Sequence, residues 1–323
     1  MMLTIKPAQA RSWSLLGSRG TFGITLLELA KEYDNIVALS ADLGITSGLE
    51  RFSTTFPSRY FNVGIAEQNL IGVATGLSGG GFVPFATSFA NFLALRACEQ
   101  VRHNLGYMKG NVKLVGLAAG FAMGTFGSTH YGIEDIATLR SIPDLVILSP
   151  ADCTATAKMT EAAFLYNGPV YLRLTGNMRM PMVYKEDFCF EIGKAITLRE
   201  GEDIAIVATG SMVHVALQAA DQLQISGVST SVLDMHTVKP LDSCALDQLL
   251  IKKLVVTLEE HSSIGGLGSA VAEYLGEKRI RPPQLSIGIP QGYPHAGDYS
   301  WLLQQAGLTA DQVHTRIVNF LLR

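Results

Sequence analysis

The chain has 323 residues, enough for two domains of ordinary size, and its net charge of −3 gives no electrostatic basis for binding nucleic acid or an anionic membrane. Hydrophobic residues make up 48% and charged residues 16%, which favours a large core and surface covered by a partner. The apolar runs are too short to span a bilayer, no signal-peptide pattern opens the sequence, and four scattered cysteines lack metal-ligand spacing. We therefore expect a cytoplasmic protein with reduced thiols and no metal site of its own.

Short β-branched runs alternate with helical segments along the first half of the chain, which predicts parallel α/β layers. The predicted strands are residues 36–39, 61–63, 83–86, 112–117, 145–148 and 170–174. The predicted helices include residues 24–33, 69–77, 89–105 and 154–165.

A change of composition separates this region from a second one. Residues 175–188 are rich in methionine and polar side chains and contain Pro181, which predicts a linker. Further strands are predicted at residues 204–208, 230–233, 254–258 and 284–289. We therefore expect two α/β domains, residues 1–183 and 184–323, each a mostly parallel sheet flanked by helices.

Gly72 and Gly76 lie four residues apart, on one face of the helix predicted at residues 69–77. A glycine inside a helix costs about 0.5–1 kcal/mol relative to alanine, so close approach of another helix is the expected compensation. That second helix could belong to the same chain or to another subunit, and the sequence leaves both alternatives open.

The most informative segment is residues 61–70, FNVGIAEQNL. It places one carboxylate, Glu67, between a short strand and an apolar helix. A carboxylate at a strand-to-helix junction lies at the mouth of an α/β sheet, where such folds bind ligands. The alternative is an ordinary glutamate stabilised by the dipole at the start of a helix.

The residue sequence of this segment resembles part of the pyrimidine-binding domain of transketolase, a thiamine diphosphate enzyme. Further motifs follow in the family's order: Ser18-Arg19, Ser40-Ala41-Asp42-Leu43, Phe89-Ala90-Asn91-Phe92, Gly127-Ser128-Thr129-His130, Glu134-Asp135-Ile136, Ser149-Pro150-Ala151-Asp152 and Gly168-Pro169-Val170-Tyr171. Residues from about 190 onward, including Glu259-Glu260-His261, resemble the family's C-terminal domain.

One expected motif is missing. The family's N-terminal domain holds the cofactor's diphosphate through Mg²⁺ with a Gly-Asp-Gly motif, which this sequence does not contain. The resemblance therefore implies the C-terminal subunit of a split transketolase. Its partner would be a separate N-terminal subunit that supplies most of the Mg²⁺ ligands, and the two would assemble as a heterotetramer.

The resemblance also implies roles for individual residues. Glu67 matches the glutamate that hydrogen-bonds N1′ of the cofactor's aminopyrimidine and so promotes deprotonation at C2. Phe92 would stack on the pyrimidine and Phe89 would line the pocket, on one helix face. Asp42 matches an active-site aspartate, although it could be a turn residue, and His130 matches a histidine that faces the donor sugar.

Sugar recognition is where the sequence departs from the family. Arg19 matches a phosphate contact and Ser47 is aligned with another. A family histidine, an arginine and a hydroxyl-binding aspartate are replaced by Ala118, Thr175 and Phe126, respectively. Arg173 and Arg179 are shifted candidates for the role of that arginine. Because an unmatched polar group discriminates strongly between substrates, these changes imply an unusual sugar.

The leading hypothesis is transfer of a two-carbon ketol unit from a ketose, expected to be phosphorylated, to an aldose. Two alternatives share the same domains: a 1-deoxyxylulose-5-phosphate-synthase-like enzyme and the β subunit of a 2-oxo acid dehydrogenase. A third alternative, of another class, is a non-catalytic paralogue that binds a partner. Glu67, Phe92 and His130 argue against the last.

Overall fold

The alternation of buried β-branched runs and helices produces two sheets in the computed structural model, which describes residues 3–176 and 178–322. Residues 1, 2, 177 and 323, which belong to the predicted domains and linker, lie outside the described residues. The strands are β1 (Ile36–Ser40), β2 (Tyr60–Asn62), β3 (Val83–Phe89), β4 (Lys113–Ala119), β5 (Val146–Leu148), β6 (Val170–Thr175), β7 (Ile196–Arg199), β8 (Ile204–Ala208), β9 (Thr230–Asp234), β10 (Thr237–Lys239), β11 (Leu254–Ser262) and β12 (Gln284–Ile289).

Both sheets are mostly parallel. The first has seven strands in the order β10-β5-β6-β4-β3-β1-β2, and the second has five in the order β12-β11-β8-β9-β7. Only the pairs β10–β5 and β7–β9 are antiparallel among these strands. The predicted fold class, two α/β domains with mostly parallel sheets, is therefore confirmed.

Helices cover the faces of both sheets. The α-helices are α1 (Pro7–Glu32), α2 (Glu50–Thr55), α3 (Glu67–Gly79), α4 (Cys98–Gln100), α5 (Asp135–Leu139), α6 (Cys153–Leu165), α7 (Met212–Ile225), α8 (Ser243–Asp247), α9 (Leu267–Gly276), α10 (Tyr299–Gln305) and α11 (Ala310–Leu321). Two π-helical stretches, Phe92–Arg96 and Val101–Tyr107, flank α4. Within the described part of the chain, none of these helices is long and apolar enough to cross a membrane.

Several predicted elements differ from the structure. The helix predicted at residues 89–105 is wrong at its start, because Phe89 is the last residue of β3 and a π-helical stretch begins at Phe92. The helix predicted at residues 24–33 is the second part of α1, which bends at Gly17. The antiparallel strands β7 and β10 were not predicted, since four and three residues carry too little alternation to detect.

The strand order creates one crevice in the first sheet. From β1 the chain passes to β2 on one side and then returns to β3 on the other side of β1. Loops that follow strands on the two sides of such a point diverge, and α/β sheets bind ligands there, at the carboxyl ends of the strands. The ends of β1, β2, β3 and β4 therefore define where a site is expected.

The glycines of α3 do not pack against another part of the described chain. A Cβ atom added at Gly72 or Gly76 would meet no atom within 4 Å, and both positions are exposed. The alternative of close packing inside one chain is therefore wrong for these two positions. Packing against another subunit stays a prediction.

Buried polar groups join the two sheets. Arg173 on β6 is 1% exposed, and its Nε donates to Oδ2 of Asp135, at the start of α5, at 2.8 Å. Its Nη2 donates to the carbonyl oxygens of Gly132 (3.1 Å) and of Glu260 on β11 (2.9 Å). Burial alone would raise the pKa of Asp135, but the charge of Arg173 holds that pKa below its usual value.

Candidate functional site

Glu67 is the first residue of α3 and lies at the crevice beside β1. Its side chain is 2% exposed, and Oε1 accepts a hydrogen bond from the hydroxyl of Ser88 on β3 at 3.1 Å. Oε2 accepts from Nη1 of Arg96 at 2.8 Å. The helix N-terminus and Arg96 together stabilise a carboxylate that would otherwise be costly to bury.

Arg96 connects this carboxylate to an aromatic ring. Its guanidinium carbon lies 4.1 Å from the ring centroid of Phe92, so the flat cation contacts the ring while it donates to Glu67. Phe92 and Arg96 are the two ends of one π-helical stretch. Such stretches are rare and frequently mark functional sites.

His130 lies among three phenyl rings. Its ring centroid is 5.7 Å from that of Phe89, 5.5 Å from Phe92 and 5.3 Å from Phe126. Its Nδ1 is 3.0 Å from the hydroxyl of Thr129. Phe89 and Phe92 also meet edge to face, with centroids 5.8 Å apart, although they do not share a helix face as predicted.

Asp42 follows β1 with a φ of 59°, a conformation that aspartate tolerates in turns. Its Oδ1 accepts from Nδ2 of Asn62 at 2.9 Å, and its own N–H donates to Oδ1 of Asn62 at 3.1 Å. The ends of β1 and β2 are thus joined beside the crevice. The side chain of Asp42 is exposed, so it is accessible to a ligand.

The predicted phosphate contacts differ in accessibility. Arg19 is partly exposed, and its guanidinium makes a long hydrogen bond, 3.5 Å from Nη1 to the carbonyl of Thr46. Partial burial lowers the pKa of its guanidinium. Ser47 is fully buried, and its hydroxyl bonds the carbonyl of Leu43 and the hydroxyl of Thr87. A substrate role for Ser47 stays a prediction that these contacts do not support.

The three residues that differ from the family pattern also differ from one another in exposure. Phe126 is 61% exposed beside His130, whereas Ala118 and Thr175 are 2% and 1% exposed. Arg173 cannot replace the missing arginine, because it is buried and bound to Asp135. Arg179 is exposed and stays available.

Two residues of the site were missed by sequence reasoning. No sequence pattern around Ser88 indicates its role, because its hydrogen bond to Glu67 depends on how β3 lies beside α3. Arg96 follows Phe92 by four residues, and that spacing on a helix was the available signal. Glu67, Phe92 and His130 thus bring a buried carboxylate, an aromatic face and a histidine together at the crevice, an arrangement that suits a flat ligand with a hydrogen-bond donor.

Together, the parallel sheets and the carboxylate at the crevice define an α/β protein with a candidate ligand site at its topological switch point. Comparison with known families identifies it further. The family model for the transketolase pyrimidine binding domain matches residues 16–179, and that for the transketolase C-terminal domain matches residues 193–313. The chain therefore belongs to the transketolase family, whose domains imply dependence on thiamine diphosphate.

Its relatives include subunits of split enzymes. It is 42% identical to the 6-deoxy-6-sulfo-D-fructose transketolase subunit SqwH of Clostridium sp. strain MSTE9, covering 91% of each chain. It is 36% identical to one subunit of the apulose-4-phosphate transketolase of Phocaeicola vulgatus, covering 95% of this chain and 98% of the relative. A split gene transketolase solved as an inactive β4 tetramer is 41% identical, with a TM-score of 0.84 over 94% of this chain and 97% of the other. The predicted membership of the transketolase family is confirmed.

Arg96→Ala removes the cation beside the buried Glu67 carboxylate. Breaking a fully buried ion pair costs about 3–5 kcal/mol, and since Arg96 is 48% exposed we expect a smaller loss of about 1–3 kcal/mol in the free energy of unfolding. Guanidinium denaturation measures this loss. Arg102→Ala, an exposed cation in the neighbouring π-helical stretch, is the control, and an equal loss in both variants would contradict the role of the pair.

Proposed function

We propose that this chain is the C-terminal subunit of a thiamine diphosphate-dependent split transketolase that transfers a two-carbon ketol unit from a ketose to an aldose. The observation that carries the proposal is the position of Glu67, a buried carboxylate at the switch point that faces the same space as the ring of Phe92. The family membership of both domains supports it.

The contacts of Arg96 indicate which kind of chemical group fits between Glu67 and Phe92. Its guanidinium is flat, rests on Phe92 and donates an N–H to Glu67. An aminopyrimidine is also flat and could stack on Phe92 in the same way. Its N1′ could donate to the Glu67 carboxylate, as Arg96 does, when N1′ carries a proton. These two contacts support the fit of the group, and the proposal requires Arg96 to leave this space when the cofactor binds.

Each residue then has a task that its position allows. When bound, thiamine diphosphate would supply a carbon nucleophile for the donor carbonyl. Glu67 would hold the hydrogen bond at N1′, while Ser88 keeps the carboxylate oriented. Phe89 and Phe92 exclude water from the reacting face, and His130 stabilises negative charge on the donor oxygen or moves its proton.

We also propose that the ketose donor differs from the donors that the family usually accepts. Arg19 is the accessible candidate for a phosphate contact, and Asp42 is an accessible candidate for a cofactor contact. Phe126 stands where the resemblance implies a carboxylate. The two split-enzyme relatives are named for different sugars, 6-deoxy-6-sulfo-D-fructose and apulose 4-phosphate. A varied donor within this group supports the inference that Phe126 helps to select an unusual ketose.

The proposal also requires a partner. A separate N-terminal subunit would hold the diphosphate through Mg²⁺, and the assembly would be a heterotetramer. Support comes from exposed apolar groups beside the site: Ile65 is 77% and Leu95 is 52% exposed, and the glycine face of α3 is open. An apolar surface of this kind is typical of an interface.

The partner requirement predicts how the isolated chain behaves. Purified alone, it should bind thiamine diphosphate weakly and turn over no sugar, because most of the contacts to the diphosphate are absent. Adding a subunit with a Gly-Asp-Gly motif should restore binding and turnover, and the same subunit with that aspartate changed to alanine should not. Calorimetry measures the affinity, and tight binding by the isolated chain would overturn the split arrangement.

Glu67→Gln keeps the size of the side chain and removes its acid–base function. In the assembled enzyme, exchange of the cofactor's C2 proton should slow by about 10²–10⁴-fold, the usual effect of removing such a group. NMR measures this exchange directly. Glu50→Gln, which changes the first-turn carboxylate of another helix, is the matched control. An unchanged rate in Glu67→Gln would refute the role of Glu67.

Phe126→Asp restores an acceptor for a sugar hydroxyl. We expect the preference for xylulose 5-phosphate over the best donor of the parent enzyme to increase about tenfold, equivalent to about 1.4 kcal/mol. The measurement is the ratio of kcat/KM values for the two donors. Thr125→Asp places the same charge one residue away on the exposed loop and should change this ratio much less. If the parent already uses xylulose 5-phosphate efficiently and Phe126→Asp brings no gain, another residue determines the donor.

A further inference from the structure

Three consecutive polar residues, Glu259-Glu260-His261, are buried near the end of β11 in the second domain. Glu259 accepts hydrogen bonds from the backbone N–H groups of Leu267 and Gly268, both at 2.7 Å, and so caps α9. His261 accepts from the N–H of Ala137 at 3.2 Å while its other ring nitrogen donates to a backbone carbonyl. Glu259 therefore stabilises α9 of the second domain, and His261 contacts α5 of the first.

Glu260 contacts a different element, the glycine-rich loop of residues 120–130 that carries Phe126 and His130. Its Oε1 accepts from the backbone N–H of Phe121 at 2.7 Å. Its Oε2 accepts from the hydroxyl of Tyr299 at 2.6 Å and from that of Ser211. Three donors from two domains thus converge on one carboxylate that is 1% exposed.

The approach of the loop to this carboxylate is close. Gly120 has a φ of 68°, and a Cβ atom at this position would overlap the carboxylate of Glu260. Only glycine satisfies both the backbone conformation and the contact. Burial raises the pKa of Glu260, and the hydrogen bonds from its three donors oppose that effect in part.

The second domain contacts the same loop again further along. The hydroxyl of Ser128 donates to the carbonyl of Pro294 at 3.1 Å, and the N–H of Gly297 donates to the carbonyl of Gly124 at 3.1 Å. The hydroxyl of Tyr131, just after the loop, donates to the carbonyl of His295 at 3.0 Å. The 120–130 loop is therefore held at its start and along its length by groups from the second domain.

We infer that Glu260 is a positioning residue: by binding the backbone at Phe121 it fixes the 120–130 loop, and through it places His130 and Phe126 at the substrate. The second domain thereby takes part in the reaction without touching the substrate. The effect on turnover rests on the function proposed above. The ordering of the loop does not, because it follows from contacts within this chain.

Hydrogen–deuterium exchange on the full-length chain tests the ordering directly. Glu260→Ala leaves the N–H of Phe121 without its charged acceptor, and such a bond is strong enough that exchange of amides 121–131 should become about tenfold faster or more. Glu259→Ala is the matched control, since it removes the neighbouring buried carboxylate but no contact to the loop. It should speed exchange in α9 and leave the loop unchanged.

A milder pair of variants covers the case in which the alanine variants do not fold. Glu260→Gln can keep one acceptor oxygen for Phe121 but loses the charge, and neutral hydrogen bonds are about half as strong as charge-assisted ones. Because the bond to Phe121 is weaker, amides 121–131 should exchange about threefold faster in Glu260→Gln than in Glu259→Gln. If the loop exchanges no faster in the Glu260 variant than in the matched Glu259 variant, the inference is wrong.

Kinetics of the assembled enzyme then separates positioning from simple destabilisation. In Glu260→Gln, exchange of the cofactor's C2 proton should slow much less than sugar transfer, because Glu67 is held by Ser88 and Arg96, which lie outside the loop. The kcat for sugar transfer should fall. Equal losses in both steps would overturn the positioning role. If the parent assembly turns over no sugar at all, the proposed function fails and the exchange experiment alone decides the inference.

Discussion

The ion pair of Arg173 and Asp135 is the constraint on which the arrangement of the two domains depends. Both side chains are almost fully buried, so every polar atom of the guanidinium that lacked a partner would be expensive. The partners are found only if β6, α5 and β11 meet in one place. Two domains that could otherwise move as separate bodies are therefore held in one relative position at the point where the 120–130 loop returns to the sheet.

As a result, one part of the candidate site is positioned by the first domain and the other part by contacts with the second domain. Glu67 and Ser88 are positioned by the strand order of the first sheet, and Phe92 by the π-helical stretch that follows β3. The loop with His130 and Phe126 depends on side chains and carbonyl groups of the second domain. The loop and its supports could therefore vary between relatives named for different sugars while the residues proposed to bind the cofactor stay in place.

Much of this organisation could be predicted from the sequence, and the failures have physical causes. Strands 204–208 and 284–289 were predicted to the residue, because buried parallel strands are continuous apolar runs between clear breaks. The position of Glu67 between a strand and a helix was predicted, because a motif marks it. The π-helical stretch at Phe92 was not predicted, since a wider helical turn has no distinct residue pattern. The burial of Ser47 was not predicted either, because its hydrogen bond to Thr87 in the interior follows no local pattern.

The short strand β10 has a consequence for how the chain can be divided. It belongs to the second half of the sequence, yet it pairs with β5 and forms the border of the first sheet. A fragment cut at the linker would leave the backbone of β5 unpaired along an apolar strand, an open edge that recruits other chains into aggregates. The two halves are distinct in architecture but form one unit for expression and refolding, so a soluble first half would have to carry residues 237–239 with it.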